Sequence, residues 1–258
     1  VLEIIADLFL ARGLVGAADM EFVAAVSRAN AGKVIGEVLG LEGAATPIFA
    51  TAEEGLSSKP DVFVEYTKPD VAKANILSAL EAGAHVVVGT AHLSEDDFRD
   101  IDAVAQRVRR GVLAVPNFAL SMVLLEKFAE IAARYIPNRA IIDYGDPGTI
   151  SVPSHTARAL ARRLSKAARA PSALSWGNSA DGEGNLEPES SDDEIQSVRV
   201  PGYLVSLDAI FGMPDERLVM RFEAGLGADL YVDGALLAIR EVDKLIGVHH
   251  GLDTVMDF

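Results

Sequence analysis

Residues 61–70 read DVFVEYTKPD. The run from Val62 to Tyr66 is β-branched and aromatic, the chemistry of a strand. Pro69 stands where a helix can begin, because a proline in the first turn sacrifices no helical hydrogen bond. A helix is therefore expected from Pro69 to about Ala82. The same grammar repeats downstream, where HVVVGT (85–90) is an apolar run, a helix spans Ser94 to about Arg109, and GVLAVPN (111–117) is another run. Ser94 with Asp97 three residues later resembles a capping box, with Asp in place of the usual Glu. Upstream, EFVAAV (21–26) is a further strand candidate. Continuously apolar strands separated by helices belong to a parallel sheet covered on both faces. The first half thus reads as a doubly wound α/β domain, with ligand loops at the carboxyl ends of its strands.

Beyond Asn117 the pattern changes. A helix at about 119–135 leads to the strand AIID (140–143), a Gly/Pro loop, and a helix over 154–168. IQSVRV (195–200), YLVSLDAIFG (203–212) and ERLVMRFEA (216–224) then follow one another across short turns. Successive strands without intervening helices make a mixed or antiparallel sheet, so a second, α+β domain with a largely open sheet is expected. A final helix, about 229–247, returns to the first domain. The expected boundaries are 1–118 with 229–258 for the first domain and 119–228 for the second.

Composition narrows the function classes. The formal net charge of −15 argues against a broad nucleic-acid or anionic-membrane surface, which needs clustered Lys and Arg. Part of that charge sits in DGEGNLEPESSDDE (181–194), read as a solvated loop. The absence of cysteine excludes disulfides, thiolate ligands and a Cys nucleophile, and fits a cytoplasmic protein. No apolar run approaches the roughly 18 to 20 residues that span a bilayer. VLEIIADLFLARGL at the start carries Glu3 and Asp7, so it reads as an amphipathic core helix and not a signal peptide.

Four runs in order carry a resemblance. VFVEYTKPD looks like a strand ending in an aromatic-Thr-x-Pro turn. HVVVGTAHLSEDDF resembles a Gly-Thr-Thr-Gly segment and its following helix. VPNFALSMVLLEKFAEIAARY is similar to a Pro-Asn-Phe-Ser hinge with a long helix, and HHGLDTVMDF resembles a Gly-Leu-Tyr-Asp-Met ending. Together they resemble the dihydrodipicolinate reductase family over nearly the whole chain. The resemblance implies a Rossmann-type first domain, a nicotinamide cofactor, a small-molecule substrate, and a second domain whose sheet packs into a homotetramer. It places Thr67, Lys68, Gly89, Thr90, Pro116, Asn117 and Phe118 on the cofactor side.

Three departures stand out. The family opens with a strand and a Gly-x-x-Gly-x-x-Gly-type turn that cradles the pyrophosphate. This chain opens at Val1 in what reads as the helix after that turn, so either the natural start lies upstream or phosphate binding is impaired. Next, EFVAAV ends in Ser27-Arg28, where an acid would select a ribose 2′-OH; a small donor and a cation suit NADPH better than NADH. Last, the family loop His-His-x-x-Lys-x-Asp-Ala-Pro-Ser-Gly-Thr-Ala becomes GDPGTISVPSHTA (145–157). The paired His positions fall on Gly145 and Asp146, the Lys on Thr149, the Asp on Ser151 and the Gly on His155, while Pro153, Ser154 and Thr156 match.

Without those cations the usual dicarboxylate loses its partners. The remaining proton-donor candidates are His155, Asp146 and Tyr144, with Thr149, Ser151, Ser154, Thr156 and His92 as substrate contacts. His249 and His250 read as unrelated to the site, and no metal site is expected. The reading is an NAD(P)H-dependent oxidoreductase acting on a C=N or conjugated C=C bond of a less anionic substrate. Its rival is a catalytically inactive or cofactor-independent member used as a binding or assembly module.

Overall fold

A computed structural model describes residues 6–90, 93–148, 151–168, 195–202, 205–225 and 227–258, with side chains from Leu10 onward. The expectations for His92, Thr149 and the acidic run 181–194 lie outside the described residues. The chain divides into two units, 1–120 with 228–258, and 121–227.

The first unit alternates helices and strands: α1 (Ala6–Gly16), β1 (Ala25–Val26), α2 (Ile35–Leu39), β2 (Ile48–Phe49), α3 (Ala52–Leu56), β3 (Val62–Glu65), α4 (Pro69–Glu81), β4 (His85–Val88), α5 (Glu95–Val108) and β5 (Gly111–Ala114). α6 (Leu120–Ala133) leads away, and α8 (Val232–Glu241) and β10 (Gly247–His250) complete the unit. One sheet runs β10-β5-β4-β3, all parallel, and β1 and β2 form a separate parallel pair. The Rossmann-type, doubly wound reading holds.

Local chemistry explains the helix ends. Pro69 occupies the first turn of α4. Ser94 Oγ accepts from Asp97 N at 3.1 Å, and Asp97 Oδ2 accepts from Ser94 N at 3.0 Å, the reciprocal cap expected of α5. The core between sheet and helices includes Ile76, Leu80, Val86, Ile101 and Val112, each at 0% exposure. Burial on that scale stabilises by about 1.5–3 kcal/mol per side chain.

Two boundaries differ from the sequence reading. EFVAAV narrows to β1, whose two residues pair with Ile48 and Phe49, a strand too short to show periodicity. The final helix stops at Glu241, and after a 3-10 turn the chain enters β10 beside β5. Gly247 makes this possible at φ +80, where a Cβ would lie 2.1 Å from Gln106 Nε2 and 2.6 Å from Asp102 Oδ1.

The second unit holds β6 (Arg139–Gly145), α7 (His155–Ala167), β7 (Ile195–Arg199), β8 (Val205–Met213) and β9 (Glu216–Glu223). Their order is β7-β6-β8-β9, with β6–β7 parallel and the other pairs antiparallel, the mixed sheet expected. Ile141, Leu207, Ala209 and Phe211 are fully buried, as are Ala157, Leu160 and Leu164 of α7. Strand alternation sends Val198 and Val219 to the other face, where they are 39% and 45% exposed. Among the described residues no helix is long and apolar enough to cross a membrane.

Candidate functional site

In the first unit a buried carboxylate ties together the carboxyl ends of β3 and β4. Glu65 closes β3 at 0% exposure. Its Oε1 accepts from Thr67 N at 2.7 Å and from the Thr67 hydroxyl. Thr90, at the end of β4, donates to Thr67 O at 3.1 Å. The two loops are thereby knitted together before any ligand arrives. Tyr66 and Phe118 stack with centroids 6.0 Å apart, and Gly89 lies beneath them. A Cβ at Gly89 would sit 2.2 Å from the Tyr66 ring and 2.8 Å from the Phe118 ring, so only glycine fits. Asn117 Oδ1 accepts from Ala119 N at 2.9 Å and turns the chain toward α6, with Pro116 exposed beside it. Lys68 is the N-cap residue of α4 and is exposed.

Ser27 and Arg28 follow β1 at its carboxyl end. Ser27 N donates to Phe49 O at 2.9 Å, which anchors the strand end, and Ser27 is 8% exposed. Arg28 is exposed at the start of a short 3-10 turn. Lys33 donates to Asn30 Oδ1 at 3.3 Å and adds a second cation to the same turn, which the sequence reading had not used.

The loop of the second unit is organised from beneath. Asp143, 1% exposed, accepts through Oδ2 from Ser154 N at 2.8 Å, from Ser197 Oγ at 3.3 Å and from Arg199 Nη2 at 2.7 Å. Arg199 Nη1 also donates to Asp143 O at 2.8 Å. The guanidinium packs over Gly145, where a Cβ would meet Arg199 Nε at 3.3 Å. Ser154 caps α7 by accepting from Ala157 N at 3.1 Å. Arg158 reaches back to Ser151 Oγ and Val152 O, both at 3.2 Å. Asp146 is exposed and accepts from Gly148 N at 2.9 Å, while His155 is exposed in the first turn of α7 and Thr156 half-buried.

Tyr144 is not brought together with His155. Alternation along β6 turns it to the face opposite Asp143, where its hydroxyl donates to Asp208 Oδ2 at 3.1 Å. Arg221 donates to both Asp208 oxygens at 2.5 Å and lies 5.6 Å from the Tyr144 ring centroid. The Arg221 hydrogen bond, with a smaller contribution from Tyr144, holds the Asp208 carboxyl below its ordinary range against the opposing effect of burial. His249 and His250 lie in β10, and His250 packs edge-on against Phe98 at 4.7 Å.

Glu65, Asp143, Arg199 and Arg158 were missed by the sequence reading. For Asp143 and Glu65 a signal existed, since each is a carboxylate inside an otherwise apolar strand. Arg199 and Arg158 had none, because their partners lie on other elements.

The family model described as dihydrodipicolinate reductase, N-terminus, matches residues 10–118, and its C-terminus counterpart matches 121–256. The 4-hydroxy-tetrahydrodipicolinate reductase of Listeria monocytogenes serotype 4b is 30% identical over 241 residues, covering 93% of this chain and 91% of the relative. That of a Cyanothece species is 32% identical over 250 residues, covering 93% and 90%. The solved dipicolinate-bound dihydrodipicolinate reductase from Paenisporosarcina sp. TG-14 superposes with a TM-score of 0.84 at 23% identity, covering 98% of this chain and 96% of that one, a likeness of fold. With both halves matched in order, the chain belongs to the dihydrodipicolinate reductase family of NAD(P)H-dependent reductases.

Proposed function

We propose that this protein is an NADPH-preferring reductase that reduces a C=N or conjugated C=C bond in a small substrate other than the family's dicarboxylate. The observation that carries the altered substrate is the Asp143–Arg199 pair. Gly145 and Asp146 stand where the family has paired histidines, and the cation packed over Gly145 is already neutralised by Asp143. A carboxylate arriving at this loop meets the exposed Asp146 and gains no free charge from Arg199. Its remaining polar contacts are Ser151, Ser154, Thr156 and His155, with Arg158 tied to Ser151 Oγ and Val152 O, a set that suits a less anionic group.

The residues of the first unit fit a pyridine nucleotide. Thr67, Lys68, Gly89, Thr90 and the Pro116–Asn117–Phe118 turn follow the carboxyl ends of β3, β4 and β5, where a doubly wound sheet takes its nucleotide. Ser27, Arg28 and Lys33 supply a hydroxyl and two cations for a 2′-phosphate. The nucleotide, when bound, supplies the hydride. The protein's part is to order these loops through Glu65, to exclude water, and to deliver a proton, for which His155 and Asp146 are the groups at the α7 loop. Cytoplasmic location and a homotetramer built through the second sheet complete the proposal.

The test measures NADPH oxidation with freshly generated lysine-pathway substrate against an authentic reductase. Negligible turnover is expected with cofactor saturating, and a rate within about tenfold of the control would overturn the altered-substrate reading. In parallel, Arg28→Ala should weaken NADPH selectively by about 1–2 kcal/mol, the scale of a charge-assisted hydrogen bond. Equal losses for NADPH and NADH would remove Arg28 from the cofactor site. No binding of either nucleotide would favour a binding or assembly module.

A further inference from the structure

We propose that Gly234 of α8 is a positioning residue of the nucleotide site, acting through the main chain of Phe118. Its role rests on the reading that the nucleotide lies beside the Pro116–Asn117–Phe118 turn. Phe118, 3% exposed, is held from two sides. Its ring stacks with Tyr66 at 6.0 Å and lies over Gly89, where an added Cβ would sit 2.8 Å from it. Its main chain is met by α8, where a Cβ at Gly234 would lie 1.9 Å from Phe118 O and 2.8 Å from Phe118 C. Helix and turn thus touch backbone to backbone, an approach that only glycine allows. Glycine weakens a helix interior relative to alanine, so this buried glycine serves the contact and not the helix.

The contact has no slack. Ordinary van der Waals contact begins at 3.4 Å, so a methyl at Gly234 has to move Phe118 O or the helix by about 1.5 Å. The helix is not free to back away. A Cβ at Gly13 of α1 would sit 2.2 Å from Val232 Cγ1, so α8 is already packed tightly on α1. Leu252 Cδ2 would stand 3.1 Å from the same methyl at Gly234. The space among Leu10, Phe118, Val232 and Ala235 amounts to about 10 Å³, at the limit of a single water. The displacement therefore falls on the turn.

From Phe118 a shift travels to the carboxyl ends of the strands. The turn follows Val115, whose N donates to Val88 O at 2.8 Å, and it leads into Ala119, whose N donates to Asn117 Oδ1 at 2.9 Å. The Phe118 ring carries the same shift to Tyr66 and Gly89. Misplacement of a binding element by about 1 Å can cost about a hundredfold, even when the substituted residue is remote from the ligand.

The test titrates NADPH against the parent chain, Gly234→Ala and Gly111→Ala, at temperatures where each is folded. Gly111 opens β5 at the end of the strand remote from the turn, and a methyl there would lie 2.3 Å from Val242 O, a comparable clash with main chain. Gly234→Ala is expected to raise the Kd for NADPH by about tenfold or more, and Gly111→Ala by less than about twofold. An unchanged Kd for Gly234→Ala, or equal losses in the two variants, would overturn the proposal. Should Gly234→Ala fail to fold, amide exchange of the parent chain decides. Coupling between sites is reciprocal, so NADPH should slow Leu236 and Ala238 of α8 about fivefold more than Ile101 and Ala105 of α5. Equal slowing in both helices would mark a global effect and overturn it. A parent chain that binds no NADPH removes the nucleotide reading and this role together, whereas binding without the α8 response removes the role alone.

Discussion

Asp143 and Arg199 pair at 2.7 Å across the parallel strands β6 and β7, and the same Asp143 oxygen accepts from Ser154 N at the head of α7. One carboxylate therefore registers two strands and pins the far end of the 146–154 loop. The pair is nearly enclosed, with side-chain exposures of 1% for Asp143 and 15% for Arg199.

Removing one member should cost more than the pair is worth, because the other charge is left buried. Asp143→Ala is expected to destabilise the protein by about 3 kcal/mol, the lower end for a broken buried pair given the partial exposure of Arg199. Asp143→Leu combined with Arg199→Met should recover part of that loss. Urea unfolding at constant m-value measures both, and a loss under about 1 kcal/mol for the single variant would show the pair to be screened.

Acid should act on Asp208. Its folded-state carboxyl lies below the ordinary value of 3.8, chiefly through the Arg221 hydrogen bond. A depressed acid contributes stability that is fully present above its unfolded value and is lost as pH falls through the folded one. Asp208→Asn should therefore flatten the decline in urea midpoint below about pH 4 while changing little of the slope at neutral pH. Identical slopes for the two proteins would remove Asp208 from the acid response.

Gly89 carries a steric prediction. A methyl there must displace the Tyr66 ring at 2.2 Å and the Phe118 ring at 2.8 Å. Gly89→Ala is expected to cost about 1–3 kcal/mol, the range for overpacking. If the nucleotide packs beside the Tyr66–Phe118 pair, the variant should also weaken NADPH beyond that stability loss, as read by titration at temperatures where both proteins are folded. Unaltered stability would mean that the aromatic pair shifts freely.

The open face of the second sheet leads to an assembly prediction. Val198 and Val219 are exposed there beside the Tyr144–Asp208–Arg221 network. Apolar groups gathered on one sheet face favour burial against another copy. A tetramer is expected in light scattering, and a monomer at micromolar concentration would contradict it. Val219→Lys should shift the distribution toward smaller species.

Much of this was legible along the chain because it depends on near neighbours. Pro69 at a helix start, Ser94 with Asp97 at a cap, and the apolar runs at 86–88 and 112–115 act within a few residues of themselves. They determined the helices, the parallel sheet of the first unit and the mixed sheet of the second. The ordered motifs around them also carried the family resemblance. β2 and β10 were not legible: β2 is two residues long, β10 carries paired histidines where the other strands have an apolar run, and both become strands only through β1 and β5. The electrostatics of the loop were equally hidden. Its sequence shows Gly145 and Asp146 without a cation, while the fold brings Arg199 from more than fifty residues away and cancels it against Asp143. Sequence by itself determined where the backbone would turn and which faces would be buried, since propensity and hydrophobic period are local. Which charges meet, and which carboxylates are left with an unpaired oxygen, were decided only by tertiary structure, because each depends on groups brought together by folding.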